Sequence, residues 1–154
     1  MTEPIAFPAN TPAIGLPLLF AGQSQKEFFV NQAFAILDAL AHRGVVASHD
    51  QPPSDVTEGQ CYRVTPNASG AWASHADHLA IFIAGTWHFI APENGMQLFD
   101  RDAGQWLCFR SGWQAATAPA SPESGSVIDV EARAALANLI DTLRLIGLFP
   151  PSMP

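Results

Sequence analysis

The sequence predicts an α+β fold made of an extended N-terminal arm, an α-helix, a small antiparallel β-sheet of barrel- or sandwich-like form, and a C-terminal α-helix. Three observations predict it. Helical periodicity occurs twice, on either side of a run of short strand-like segments. Those segments are separated by Gly-containing turns instead of long helices, which argues against a parallel, doubly wound sheet. Pro4, Pro8, Pro12 and Pro17 keep residues 1–22 out of regular helix. The boundaries that follow are an arm over 1–22, a helix plus antiparallel β domain over 23–113, a linker over 114–126, and a C-terminal helix and tail over 127–154. A chain of 154 residues suits one domain with a substantial core.

Each element has its own grounds. The arm carries Ile5, Phe7, Ile14, Leu16, Leu18, Leu19 and Phe20, too apolar a set for a free tail. It should occupy a groove, either on its own domain or on a neighbouring subunit. "AGQSQKE", Ala21 to Glu27, reads either as a catalytic or anion-binding loop or as the fitting of a helix. Ser24 and Glu27 have the spacing of a capping box, Gly22 permits a turn into it, and Phe20 and Phe28 are spaced to pack across it as a hydrophobic staple. The loop lacks the glycines and the Lys-Ser/Thr order of a phosphate loop. From Ser24 to about His42, one apolar face is set by Phe29 or Val30, Ala33 with Phe34, Leu37, and Leu40 with Ala41. Gly44 stands where a left-handed residue would end the helix.

"GVVASH" and "QCYRV" read as strands around the loop "QPPSDVTEG". "HLAIFIAG" with "TWHFIAP" predicts a hairpin turning at Ala84 and Gly85, and "MQLFDRDAGQWLCFRSG" another at Asp102 to Gly104. The Pro-, Ser-, Thr- and Ala-rich stretch "QAATAPASPESGS" separates them from "DVEARAALANLIDTLRLIG". There Asp129 is the expected cap, Glu131 lies in the first turn, and Gly147 ends the helix. Leu136, Leu139 with Ile140, Leu143 and Ile146 form its apolar stripe.

Composition narrows the function. Fourteen acidic residues against 7 basic ones give a net charge of -7, and the basic residues are scattered, so the chain does not read as a nucleic-acid binder. Charged residues make up only 14%, against about a quarter in ordinary soluble domains. The surface is therefore either neutral and polar or partly covered by other subunits. No apolar run reaches membrane-spanning length, and the N-terminus lacks the basic start of a signal peptide. Cys61 and Cys108 read as buried thiols, with a bridge as the alternative.

Candidate chemistry is sparse, and no catalytic residue, no metal and no cofactor is expected. His75, Asp77 and His78 are metal-ligand types, but a closed site needs a further ligand with suitable spacing. Ser111 lacks a nucleophile elbow, and Asp100 with Asp102 falls in a hairpin tip where a turn role accounts for both. "NAS" at Asn67 fits a glycosylation pattern that is common by chance. Of four tryptophans, Trp87 and Trp106 occupy strand positions suited to packing. Trp72 and Trp113 lie nearer turns and are the candidate glycan contacts.

The stretch "LPLLFAGQSQKEFFVNQAFAILDAL" resembles the family known as domain of unknown function 2793, proteins of phages, prophages and gene transfer agents. The resemblance rests on Leu16, Pro17, Ala21, Gly22, Gln23, Gln25, Lys26, Glu27, Asn31, Leu37 and Asp38. It continues through "PPSDVTEGQCYRV", "GAWASHADHLAIFIAGTWHFIAPENG" and, more loosely, the terminal helix. Phe28 and Phe29 stand where members often have smaller or polar residues. The resemblance implies a non-enzymatic structural protein of a virion or phage-like particle, assembled in the bacterial cytoplasm, such as a spike or tail-fibre subunit or its attachment base. It carries over no catalytic residue. The expected partners are other copies of the chain, three in a fibre or five at a capsid vertex, and other particle proteins, with host polysaccharide as the alternative ligand. Ile14, Leu16, Leu18, Leu19, Phe20, Phe28, Leu136 and Leu143 are the expected arm and oligomer contacts. Neither nucleic acid nor membrane insertion is expected.

Overall fold

A computed structural model describes residues 9–12, 16–19, 22, 26–119 and 129–150. The chain divides into two compact units, Met1–Pro92 and Glu93–Pro154. The first contains helix α1 (Lys26–Ala41) and strands β1 (Gly44–Val45), β2 (Ser48–His49), β3 (Cys61–Val64), β4 (Leu79–Ile83) and β5 (Thr86–Ile90). The second contains β6 (Gln97–Asp100), β7 (Gln105–Phe109), β8 (Trp113–Ala115) and helix α2 (Val130–Leu145). The fold is α+β, with one helix before the strands and one after them, as the periodicity predicts.

In the first unit the strand order is β2-β3-β4-β5. The β3–β4 and β4–β5 pairs are antiparallel, but β2 runs parallel to β3, with Ser48 opposite Arg63 and His49 opposite Val64. The sheet is therefore mixed, which corrects the all-antiparallel expectation. The cause lies in the connection: a tight turn reverses direction, whereas the proline-bearing loop 50–60 is long enough to return the chain to the starting end. Arg63 Nε donates to Ser48 Oγ at 2.6 Å and ties the short pair together.

The β4–β5 turn places Ala84 at φ 51° and Gly85 at φ 77°, the double left-handed conformation that matches strand twist in a two-residue hairpin. Glycine adopts it freely; alanine does so at a cost of about 1–2 kcal/mol. Ala84→Asn, giving the Asn-Gly pair this turn favours, is expected to stabilise the protein by about 0.5–1 kcal/mol. The thermal midpoint should then rise by about 2 °C. An unchanged midpoint would mean that the strain is relieved elsewhere.

The core of this unit gathers Ala47, Tyr62, Val64, Trp72 and Ala80, flanked by Val46, Val56, Ala68, Trp87 and Phe89. The Trp72 ring meets that of Trp87 edge-on at 5.0 Å and that of Tyr62 at 6.2 Å. Tyr62 donates its hydroxyl hydrogen to Gln60 Oε1 at 3.1 Å, and burial pushes the phenol's pKa up from its ordinary value.

In the second unit β6, β7 and β8 form an antiparallel meander. Buried Asp100 shapes its first turn: Oδ1 accepts from the Asp102 and Ala103 amides at 3.1 and 3.0 Å, and the main-chain oxygen accepts from Gly104 N. This is a local Asx arrangement that uses the carboxylate as a turn brace. At the start of α2, Asp129 Oδ1 accepts from Ala132 N at 2.9 Å. Gly147, at φ +75°, follows the helix, and its carbonyl accepts from Trp106 N at 2.6 Å. A Cβ there would stand 2.7 Å from Phe99 Cε2, so only glycine lets the chain approach β6 and β7 this closely. No helix among the described residues is long and apolar enough to cross a membrane.

Candidate functional site

The apolar periodicity of α1 predicts an inward face of Phe29 or Val30, Ala33 with Phe34, Leu37, and Leu40 with Ala41. Of these Val30, Phe34 and Leu40 are half-buried, whereas Phe29, Ala33, Leu37 and Ala41 are exposed, and the buried residues of the helix are Glu27 and Asp38. Asn31 shares their side, because steps of four and eleven residues return to nearly the same angle on an α-helix. The inward face is thus a polar row edged by Val30, Phe34 and Ala35, all half-buried. Buried polar groups need partners, and the arm supplies them.

The described part of the arm is a tight hairpin, not an extended strand. Asn10 bridges Pro17 in antiparallel fashion, Thr11 N donates to Leu16 O at 2.8 Å, and Leu18 N donates to Ala9 O at 2.9 Å. Three side chains of α1 grip it. The Thr11 hydroxyl donates to Asp38 Oδ1 at 2.8 Å while accepting from Leu16 N at 2.8 Å. Asn31 engages both polar groups of Leu19, accepting from its N–H and donating to its carbonyl, each at 2.8 Å. Glu27 Oε1 accepts from Gly22 N at 3.3 Å. Where the sequence leaves two seats for the arm, the described residues 9–12 and 16–19 occupy the one on their own chain.

Between this hairpin, the first turns of α1 and the β4–β5 hairpin lies an open groove of about 610 Å³. Leu18, Phe28, Ala35 and Ile83 contribute apolar wall, and Glu27, Glu58 and His88 contribute polar groups. His88 Nδ1 lies 3.1 Å from Gln32 Nε2, and His88 Nε2 lies 3.2 Å from Thr86 Oγ1, which donates to Ile83 O. A ring carrying its proton on Nε2 satisfies both contacts. Glu58 Oε1 accepts from Ala84 N at 2.7 Å, which fixes that carboxylate beside the turn.

The other candidates disperse. Ser24, Ile14 and Phe20 lie outside the described residues, so the Ser24 half of the capping box and the Phe20 half of the staple do too. Phe28 is exposed, Leu16, Leu18 and Leu19 are half-buried in the hairpin, Leu136 is exposed and Leu143 half-buried. The left-handed residue after α1 is Arg43, at φ 50°, in place of Gly44, which already belongs to β1. Trp72 is completely buried, which removes it as a glycan contact: it sits in the short 3-10 turn Gly70–Trp72, whose tight winding turns its ring into the core. Trp113 is half-buried on β8, edge-on to Phe109 at 5.3 Å. His75 stacks on Phe89 at 3.6 Å, and no group of three potential metal ligands occurs among the described residues. Cys61 is buried and Cys108 half-buried, both as thiols. Sequence reasoning gave no role to Thr11, Asn31, Asp38 or His88. The available signal was the polar spacing 27, 31, 38 within a mostly apolar helix.

The model of a family described as protein of unknown function (DUF2793) matches residues 30–114, and the chain belongs to that family. No curated protein matches it.

Proposed function

We propose that this DUF2793 member is a structural subunit of a phage-like or gene transfer agent particle, a spike or tail-fibre component or its attachment base, that works as a homo-oligomer. Family membership supports the particle-protein part of this reading. One observation carries the assembly part: both helices leave large apolar side chains in solvent. On α1 these are Phe28, Phe29 and Leu37, at 69%, 77% and 52% exposure; beside them Ala33 is exposed and Ile36 and Leu40 half-buried. On α2 and its end they are Val130, Leu136, Leu139, Leu145, Ile146 and Leu148. Burial of each such side chain is worth about 1.5–3 kcal/mol, a strong drive toward another apolar surface.

The α2 row supports other copies of the chain as that surface. Ala132, Leu136, Leu139, Leu143 and Ile146 follow one another at alternating steps of four and three, the seam spacing of helices that pack on their own kind. Two heptads alone make a weak coiled coil, and the α1 row would supply the remaining area. The cyclic trimer suits a fibre and the cyclic pentamer a capsid vertex.

Light scattering on the purified chain tests this. A discrete oligomer is expected, collapsing to monomer when Leu136 and Leu139 are both replaced by glutamate, with the circular-dichroism spectrum retained. A chain that stays monomeric at every accessible concentration would sink the reading.

A further inference from the structure

We propose that Asn94 is a self-modification site: the Asn94-Gly95 peptide is held unreactive in the folded chain and converts through a succinimide to isoaspartate when the β6–β8 meander opens. Asn-Gly is the dipeptide in which this reaction meets least hindrance, because glycine puts no side chain beside the attacking nitrogen. The pair stands just before β6, at the two central positions of a turn that Met96 N closes onto Glu93 O at 3.0 Å. Gly95, at φ +93°, takes the second of them, the signature of a type II turn.

The step needs only the chain and water. The Gly95 nitrogen attacks Asn94 Cγ, a C–N bond closes a five-membered imide, and the Cγ–Nδ2 bond breaks as ammonia leaves with the proton from Gly95 N. Water then opens the imide at either carbonyl, giving aspartate or isoaspartate. Both reacting groups are occupied in the fold. Gly95 N donates to Phe109 O at 2.9 Å, so its proton is committed to β7. Asn94 Oδ1 accepts from Ser111 N at 2.9 Å, which anchors the amide on the turn between β7 and β8. That turn is itself braced, with Ser111 at φ 57° and Arg110 N donating to Gly112 O at 2.8 Å. The Ser111 bond polarises the amide toward attack, but the type II turn carries the Gly95 nitrogen away from the position eclipsing Cβ that ring closure requires. Reaction therefore waits on a local opening of 93–96 and 109–112.

The two products differ in what the fold can take back. Aspartate leaves an oxygen for Ser111 N and the main-chain length unchanged. Isoaspartate moves a methylene into the main chain, so Gly95 N and Met96 N no longer meet Phe109 O and Glu93 O together. Its formation thus marks, irreversibly, a chain whose second unit has opened.

The test incubates the full chain in heavy-oxygen water at mildly alkaline pH, with and without denaturing urea, and follows the fragment bearing residue 94 by mass spectrometry and isoaspartate-sensitive peptide mapping. Loss of ammonia with uptake of heavy oxygen is expected in urea, and at least about a hundredfold more slowly in buffer. Urea below the unfolding transition should raise the rate steadily. Leu107→Ala, which removes a buried side chain of β7, should speed the reaction about tenfold or more in buffer and leave the rate in denaturing urea unchanged. If that variant fails to fold, the urea series on the unaltered chain still decides. After return to buffer, aspartate chains should regain the native near-ultraviolet circular dichroism and isoaspartate chains should not. Equal rates in buffer and in denaturing urea, a rate indifferent to urea below the transition, no heavy-oxygen uptake in either state, or isoaspartate chains that refold fully would overturn the proposal.

Discussion

Replacing Trp72 by alanine is expected to destabilise the protein by about 3–5 kcal/mol, a large share of the roughly 5–15 kcal/mol that a domain commands. The ring is fully enclosed among Tyr62, Val64, Ala80 and Trp87, so deleting it removes its transfer energy and leaves a cavity that rigid strands β3 and β4 cannot collapse to fill. Trp72→Phe should cost clearly less than half as much. Phenylalanine keeps most of the apolar contact and removes the indole Nε1, which is buried without a hydrogen-bond partner among the described residues. Urea unfolding followed by the remaining tryptophans checks both variants. A loss under about 1 kcal/mol for the alanine variant would be the behaviour of a surface side chain and would overturn the packing described above.

The same residue illustrates what a linear reading can and cannot reach. Trp72 stands between Gly70 and the largely polar stretch Ser74 to His78, a context that resembles an exposed turn. Its burial follows from one tight 3-10 winding that no periodicity reveals. Hairpin turns were legible because their signals are local: the Ala84-Gly85 pair and the Asp102 to Gly104 stretch both sit between alternating strands, and the residues that shape each turn are neighbours in sequence. The parallel β2–β3 pair was not legible, since the two-residue β2 carries no pattern and the relative direction of the pair is set by the loop between them. The inward face of α1 misled for a different reason. Apolar spacing identifies an inward face only when what covers a helix is also apolar. Here the cover is arm backbone together with the Thr11 hydroxyl, so the buried positions are ones able to hydrogen-bond it, and Phe29, Ala33 and Leu37 are left outside. Thr11 lies 27 positions before Asp38, too far for any local signal to join them.

That polar grip should behave as one latch. Asp38→Ala removes the acceptor for the Thr11 hydroxyl at a buried site and is expected to cost about 2–3 kcal/mol; Asn31→Ala removes two hydrogen bonds from a half-buried one and should cost about 1–2 kcal/mol. Asp38→Asn keeps an oxygen facing Thr11 and should lose less than the alanine variant. The sharper readout is hydrogen exchange. Among the described residues Thr11 N and Leu18 N bond within the arm hairpin, so their exchange should quicken about tenfold to a hundredfold in either alanine variant while β4 amides keep their protection. The double variant should show less than the sum of the two stability losses, because a hairpin released at either end no longer benefits from the other contact. Strict additivity, or unchanged exchange at Thr11 and Leu18, would mean that the arm is held by its apolar side chains and that the buried row of α1 serves some other end. A quickened arm with β4 intact would show a hairpin that detaches from α1 while the sheet stays folded.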